Sequence, residues 1–115
     1  MKKIYLLLAA IFFSGSMAFA LDGDDCVTPI AVDFSADLPY SDMGQTTCAR
    51  GDNYDATCLG LYDGGEDIIY EFTVASTMEV QITFDPNGTT WTGVALFDDC
   101  PDVGTCLDFV TGSSG

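Results

Sequence analysis

Residues 67–74 and 78–84 alternate apolar and polar side chains so regularly that they restrict the chain to a β architecture. In the first run Ile68, Tyr70, Phe72 and Val74 share one face, and Asp67, Glu71 and Thr73 share the other. Ile69 is the exception. In the second, Met78, Val80, Ile82 and Phe84 alternate with Glu79, Gln81, Thr83 and Asp85. A strand with one dry and one wet face belongs to an antiparallel sheet packed on a core. The short connection through Ala75, Ser76 and Thr77 predicts a hairpin, with Tyr70 and Phe72 facing the same interior as Val80 and Ile82.

The rest of the chain extends that pattern. Residues 91–97 predict a third strand, with Val94 and Leu96 inward in one register and Ala95 and Phe97 in the other. Residues 107–110 begin a fourth, and 29–34 and 43–47 read as weaker strands. Residues 51–66 read as a long acidic loop, and Asp85, Pro86, Asn87 and Gly88 open a turn. Residues 21–115 show no capped 3.6-residue repeat. The fold class is therefore all-β: an antiparallel β-sandwich. A sheet that stops at Val110 leaves an open edge, so the sandwich is expected to be incomplete and the chain to be the N-terminal part of a longer protein. The alternative is a complete small protein with a Gly/Ser-rich tail.

Export is written into the first twenty residues. Lys2 and Lys3 form a charged start, residues 4–13 an apolar stretch, and Ala18, Phe19 and Ala20 a small-x-small cleavage site. The apolar stretch is shorter than the roughly 20 residues of a spanning helix. Residues 1–20 are thus predicted to be a signal peptide and 21–115 a single secreted or cell-surface module without stable membrane insertion. That module carries eighteen Asp and Glu against Arg50 alone. Nucleic acid and anionic lipid heads both require clusters of Lys and Arg, so neither is an expected partner.

Five cysteines, Cys26, Cys48, Cys58, Cys100 and Cys106, follow the signal, and an oxidising compartment lets them pair. The local pairing joins Cys48 to Cys58 and Cys100 to Cys106. Cys26 is then a free thiol or the partner of a cysteine beyond residue 115, unless the local pairing itself is wrong. Zinc is disfavoured, since the chain has no His and no C-x-x-C spacing.

Several short segments taken in order resemble a known family. They are Gly23, Asp24, Asp25 and Cys26; Pro29 and Ile30; Leu38, Pro39 and Tyr40; Gly44, Gln45, Thr46 and Thr47; Gly51, Asp52, Asn53 and Tyr54; residues 65–72; and Leu96, Phe97, Asp98, Asp99, Cys100 and Pro101. The series is similar to the pre-peptidase C-terminal type of domain of secreted Bacteroidetes-type proteins and covers nearly all of residues 21–115. The resemblance implies a jelly-roll-like sandwich that serves as an accessory module beside peptidases or adhesins. A further Gly-Thr-Tyr-Tyr-type strand of that family is missing here.

Catalysis is not expected. Without His there is no Ser-His-Asp or Cys-His arrangement, and no Lys follows residue 3. Neighbouring carboxylates such as Glu66 and Asp67, or Asp98 and Asp99, point to opposite faces of a strand and do not flank one bond. Calcium is the better candidate, because hard cations take several oxygens from flexible loops. Some domains of the resembled type bind calcium near the N-terminal segment, which nominates Asp24, Asp25, Asp52 and Asp55. Among the aromatics Tyr40, Tyr54, Tyr62 and Trp91, the candidates for ligand contact are Trp91 and Tyr54. The expected role is a non-catalytic accessory or adhesion module. The alternatives are a calcium-stabilised carbohydrate- or protein-binding module, with a glycan or protein-surface ligand, and the non-catalytic N-terminal part of a secreted peptidase or other hydrolase.

Overall fold

The computed structural model describes residues 21–114; the predicted signal peptide, residues 1–20, lies outside the described residues. The described chain is mostly β and loop, with four strands: β1 (Ile30–Asp33), β2 (Tyr70–Thr73), β3 (Thr92–Phe97) and β4 (Cys106–Gly112). A single 3-10 turn, Gly60–Tyr62, interrupts the acidic loop. Among the described residues no helix is long and apolar enough to cross a membrane.

The strands form two separate two-stranded sheets. β3 and β4 make an antiparallel hairpin in which Val94 faces Val110 and Ala95 faces Phe109, with a bulge between Leu96 and Phe97. The connecting loop is built by its own acids. Asp98 Oδ1 accepts from the Thr105 amide at 2.5 Å and Asp99 Oδ1 from the Cys100 amide at 2.7 Å. These two carboxylates are turn formers, as their adjacency suggests. Gly104 is required here, because a Cβ on it would lie 2.7 Å from the Asp99 carbonyl oxygen.

β2 does not form the predicted hairpin with residues 78–84. It pairs in parallel with β1, Ile30 opposite Tyr70 and Val32 opposite Phe72. The ladder is prolonged by Gly23, whose carbonyl accepts from the Ile69 amide at 2.9 Å, while the Ile30 amide donates to Ile69 O at 2.9 Å. The reason for the difference lies in residues 75–77. Tight hairpins need positive-φ residues such as Asn-Gly or Asp-Gly at the turn, and Ala75, Ser76 and Thr77 supply none. The chain bends there without reversing into a ladder, and residues 78–84 run outside any strand. The weak strand expected at residues 43–47 is also absent.

The shared interior of Tyr70, Phe72, Val80 and Ile82 does not form. Tyr70 is 39% exposed, Val80 36% and Ile82 56%, and among the described residues Val32, at 7%, is the one buried large apolar side chain. Phe34 stacks on Phe72 across the β1–β2 face, with ring centroids 4.5 Å apart and planes 5° from parallel. A groove of about 560 Å³ opens beside this stack, bounded by Val32, Ala75 and Met78.

Disulfides supply the long-range closure, and they differ from the local pairing. Cys26 joins Cys100 across 74 residues and Cys58 joins Cys106 across 48, with Cα–Cα distances of 6.0 and 6.3 Å. Cys48 is the free, exposed thiol. Cys100 sits in a tight turn whose carbonyl accepts from the amides of Val103 and Gly104 at 2.9 and 2.6 Å. That turn and the β4 ladder separate the roles of Cys100 and Cys106, and each bonds outward to a different loop.

Gly23 offers a direct check of the β1–β2 junction. It is buried at φ +86°, and a Cβ would lie 2.9 Å from Ile30 Cγ1 and 3.3 Å from Ile69 O. Gly23→Ala is expected to destabilise by about 1–3 kcal/mol, whereas Gly64→Ala, with open space around it, should stay within about 0.5 kcal/mol of the parent. Thermal or denaturant unfolding of the oxidised protein measures both.

Candidate functional site

The two acidic segments nominated for calcium do meet. Asp24 Oδ1 accepts from the Gly51 amide at 2.8 Å, and Asn53 Nδ2 donates to the Asp24 carbonyl at 2.9 Å. Arg50, the one cation of residues 21–115, joins the same junction. Its Nη1 donates to the Asp22 carbonyl at 2.6 Å, its Nε to Thr46 O at 2.9 Å and its Nη2 to Gln45 Oε1 at 3.1 Å.

The carboxylates here act as acceptors for backbone amides. Asp25 Oδ1 takes the Val27 and Thr28 amides at 2.8 and 2.9 Å and the Thr28 hydroxyl at 3.1 Å. These bonds, that from the Thr28 amide first, hold its carboxyl below the usual range. Asp67 Oδ2 takes the amides of Asn53 and Tyr54 at 2.8 and 3.0 Å. Burial pushes the Asp67 carboxyl above its ordinary range; the two amides pull it back, and the charges of Asp52 and Asp55 push it further up. Asp24, Asp25, Asp52 and Asp55 thus share one region without forming a common ligand set. Among the described residues no three His, Cys, Asp or Glu side chains converge on a point where they could hold a metal ion.

Tyr54 stands at the centre of this junction. Its hydroxyl accepts from the Cys26 amide at 2.8 Å and lies 3.4 Å from Cys100 Sγ. A bridged sulfur has no hydrogen, so only the hydroxyl can donate between those two atoms. Tyr54 therefore ties the acidic loop to the Cys26–Cys100 disulfide.

Trp91 lies elsewhere and is 61% exposed. Its neighbour is Tyr62, the last residue of the 3-10 turn, with ring centroids 5.3 Å apart and planes tilted by 32°. Trp91 adopts φ +57° immediately before β3, an unusual conformation for a bulky residue. The 3-10 turn is fixed from behind by Cys58–Cys106 and by Leu59, whose Cδ2 lies only 2.8 Å from where a Cβ on Gly93 would stand. Sequence reasoning named both aromatics without pairing them, since nothing local links positions 62 and 91.

A second polar cluster was not anticipated. Asp42 Oδ2 accepts from the hydroxyls of Tyr70 at 3.0 Å and Tyr40 at 3.3 Å, and Gln45 Nε2 donates to both Asp42 oxygens at 3.1 and 3.0 Å. The Gln45 amide is the chief reason the Asp42 carboxyl sits below its usual range. Burial first, and then the bond to Asp42, pushes Tyr70 up to about 12. A β-strand pattern treats Tyr70 as an apolar face residue, but its phenol carries a hydrogen-bonding tip. That tip is drawn out to Asp42.

No family model, curated protein or solved structure matches the chain.

Asp67 gives a pH-dependent test of the acidic junction. An acid whose folded pKa is raised binds its proton more tightly when folded, so stability falls as pH rises through the ordinary carboxylate range to the raised value. Asp67→Asn keeps an acceptor for the two amides and removes the charge. It is expected to lessen that fall and to be at least as stable as the parent at pH 7. Asp67→Ala leaves both amides without their partner and should cost about 1–2 kcal/mol. Unfolding midpoints between pH 3 and 8 measure both; an unchanged pH profile in Asp67→Asn contradicts the assignment.

Proposed function

We propose that this chain is a non-catalytic accessory or adhesion module of an exported protein, retained at or released from the cell surface. The observation that carries the reading is the open apolar face of the β3–β4 hairpin. Val94, Leu96 and Val110 line one side of a groove of about 400 Å³, and Val80, Ile82 and Phe84 line the other. Ile82 and Phe84 remain about half exposed. A contiguous exposed apolar surface of this kind marks a contact site, here on a frame held by two disulfides. The likeness to the pre-peptidase C-terminal type of domain points to the same role, and a jelly-roll-like sandwich is the architecture proposed for the whole module. Two sheets with separate apolar faces are what supports it.

The reading expects retention without turnover. The oxidised chain, displayed on a bacterial surface, should raise retention on protein-coated supports several-fold over an undecorated cell. Ile82→Asp with Phe84→Asp should remove most of that gain. Equal retention with and without the displayed chain contradicts the reading.

A calcium-stabilised binding module is the second reading, favoured by the repulsion that Asp52 and Asp55 exert on Asp67. A cation near these loops relieves such repulsion, although the carboxylates must first rearrange to converge. It expects a higher unfolding midpoint in millimolar calcium than in chelator, and coincident midpoints contradict it.

A further inference from the structure

We propose that Trp91 and Tyr62 form a stacking platform for the pyranose rings of a neutral polysaccharide. The inference rests on the accessory or adhesion reading and adds to it a second contact surface with a stated ligand class. The two rings come from elements 29 residues apart in sequence, yet stand 5.3 Å apart with a tilt of 32°. Most of the Trp91 side chain is open to solvent at 61% exposure, so its indole is not serving as the lid of a core. Its φ of +57° is one that bulky residues rarely adopt, and outliers of this kind concentrate at ligand contacts. Tyr62 is set by the 3-10 turn, and Cys58, four residues earlier, is bonded to Cys106 of β4. The platform is therefore fixed relative to the sheet from which Trp91 emerges. The adjoining turn and the first residue of β3 carry Asn87, Thr89, Thr90 and Thr92 along the same stretch of chain, a source of hydroxyl and amide partners.

The chemistry selects the ligand. An aromatic face carries negative quadrupolar charge and complements the weakly positive C–H face of a sugar ring. Eighteen carboxylates against one Arg in residues 21–115 repel uronate and sulfated chains, which leaves uncharged glycans. A polycation would also be drawn to the charge and to the rings, and the test separates the two.

Trp91 is the sole tryptophan of the chain, so its emission reports on the site without a label. Titration of the oxidised chain with β-glucan, xylan and mannan oligosaccharides is expected to quench or blue-shift that emission to saturation with at least one of them. Alginate oligosaccharides should give no saturable change, and any polylysine response should vanish at high salt while the glycan response persists. Tyr62→Ala should weaken binding severalfold. Trp91→Gly should abolish binding, read by calorimetry, while keeping or raising the unfolding midpoint because glycine accepts the positive φ. Trp91→Phe should retain part of the affinity. Emission indifferent to every neutral glycan, or responsive to polylysine alone, overturns the proposal. If surface retention through Ile82 and Phe84 persists in that case, the adhesion reading stands and only the glycan assignment falls. Saturable glycan binding without surface retention overturns the adhesion reading instead.

Discussion

Cys26–Cys100 and Cys58–Cys106 join segments 74 and 48 residues apart, and the other long-range features of the fold are arranged around them. One carries the N-terminal segment that leads into β1 to the loop between β3 and β4. The other carries the acidic loop to β4. In the chain-entropy account, closing loops of this size stabilises by about 4 kcal/mol each, comparable to the whole net stability of a small domain. With Val32 alone buried among the large apolar side chains of the described residues, hydrophobic burial does little of that work. Small disulfide-rich domains often replace a core with covalent staples.

The same shortage explains what the acids do. Residues 21–115, with one cation for eighteen carboxylates, cannot neutralise them in ion pairs. It uses them as acceptors for loop amides instead. Asp24 receives Gly51, Asp25 receives Val27 and Thr28, Asp67 receives Asn53 and Tyr54, and Asp98 receives Thr105. Loops of Asp, Asn and Gly thereby become ordered without secondary structure. Arg50 completes the pattern by donating to carbonyls and an amide oxygen. The surfaces proposed for binding lie where the staples leave apolar groups outside: the groove over β3–β4, and the Tyr62–Trp91 pair.

Much of the strand content was legible. Residues 29–34, 91–97 and 107–110 correspond closely to β1, β3 and β4, because β-branched and aromatic residues crowd there between turn signals. Residues 67–74 contain β2, but the partner was misread: alternation reports that a strand has two faces, not which neighbour it pairs with. Residues 75–77 lack the turn chemistry that would have forced a hairpin, and that absence was the available signal. The cysteine pairing was illegible for a different reason. Short sequence spacing favours local bonds only while the loop is flexible, and Asp98, Asp99 and Gly104 make the 98–105 loop a defined turn. Asp24, Asp25, Asp52 and Asp55 are expected as cation ligands, and the use of Asp24 and Asp25 as acceptors for loop amides has no signature in that expectation. The Tyr62–Trp91 pair depends on the 3-10 turn and on Cys58–Cys106, neither of which has a local sequence signature.

Disulfide mapping of the oxidised protein tests the account most directly. Cleavage before aspartate places each of the five cysteines on its own peptide, because Asp25, Asp42, Asp55, Asp99 and Asp102 precede them in turn. After free thiols are capped, the structure requires linked peptides carrying Cys26 with Cys100 and Cys58 with Cys106, and the cap on Cys48. Linked peptides joining Cys48 to Cys58 and Cys100 to Cys106, with the cap on Cys26, would contradict it.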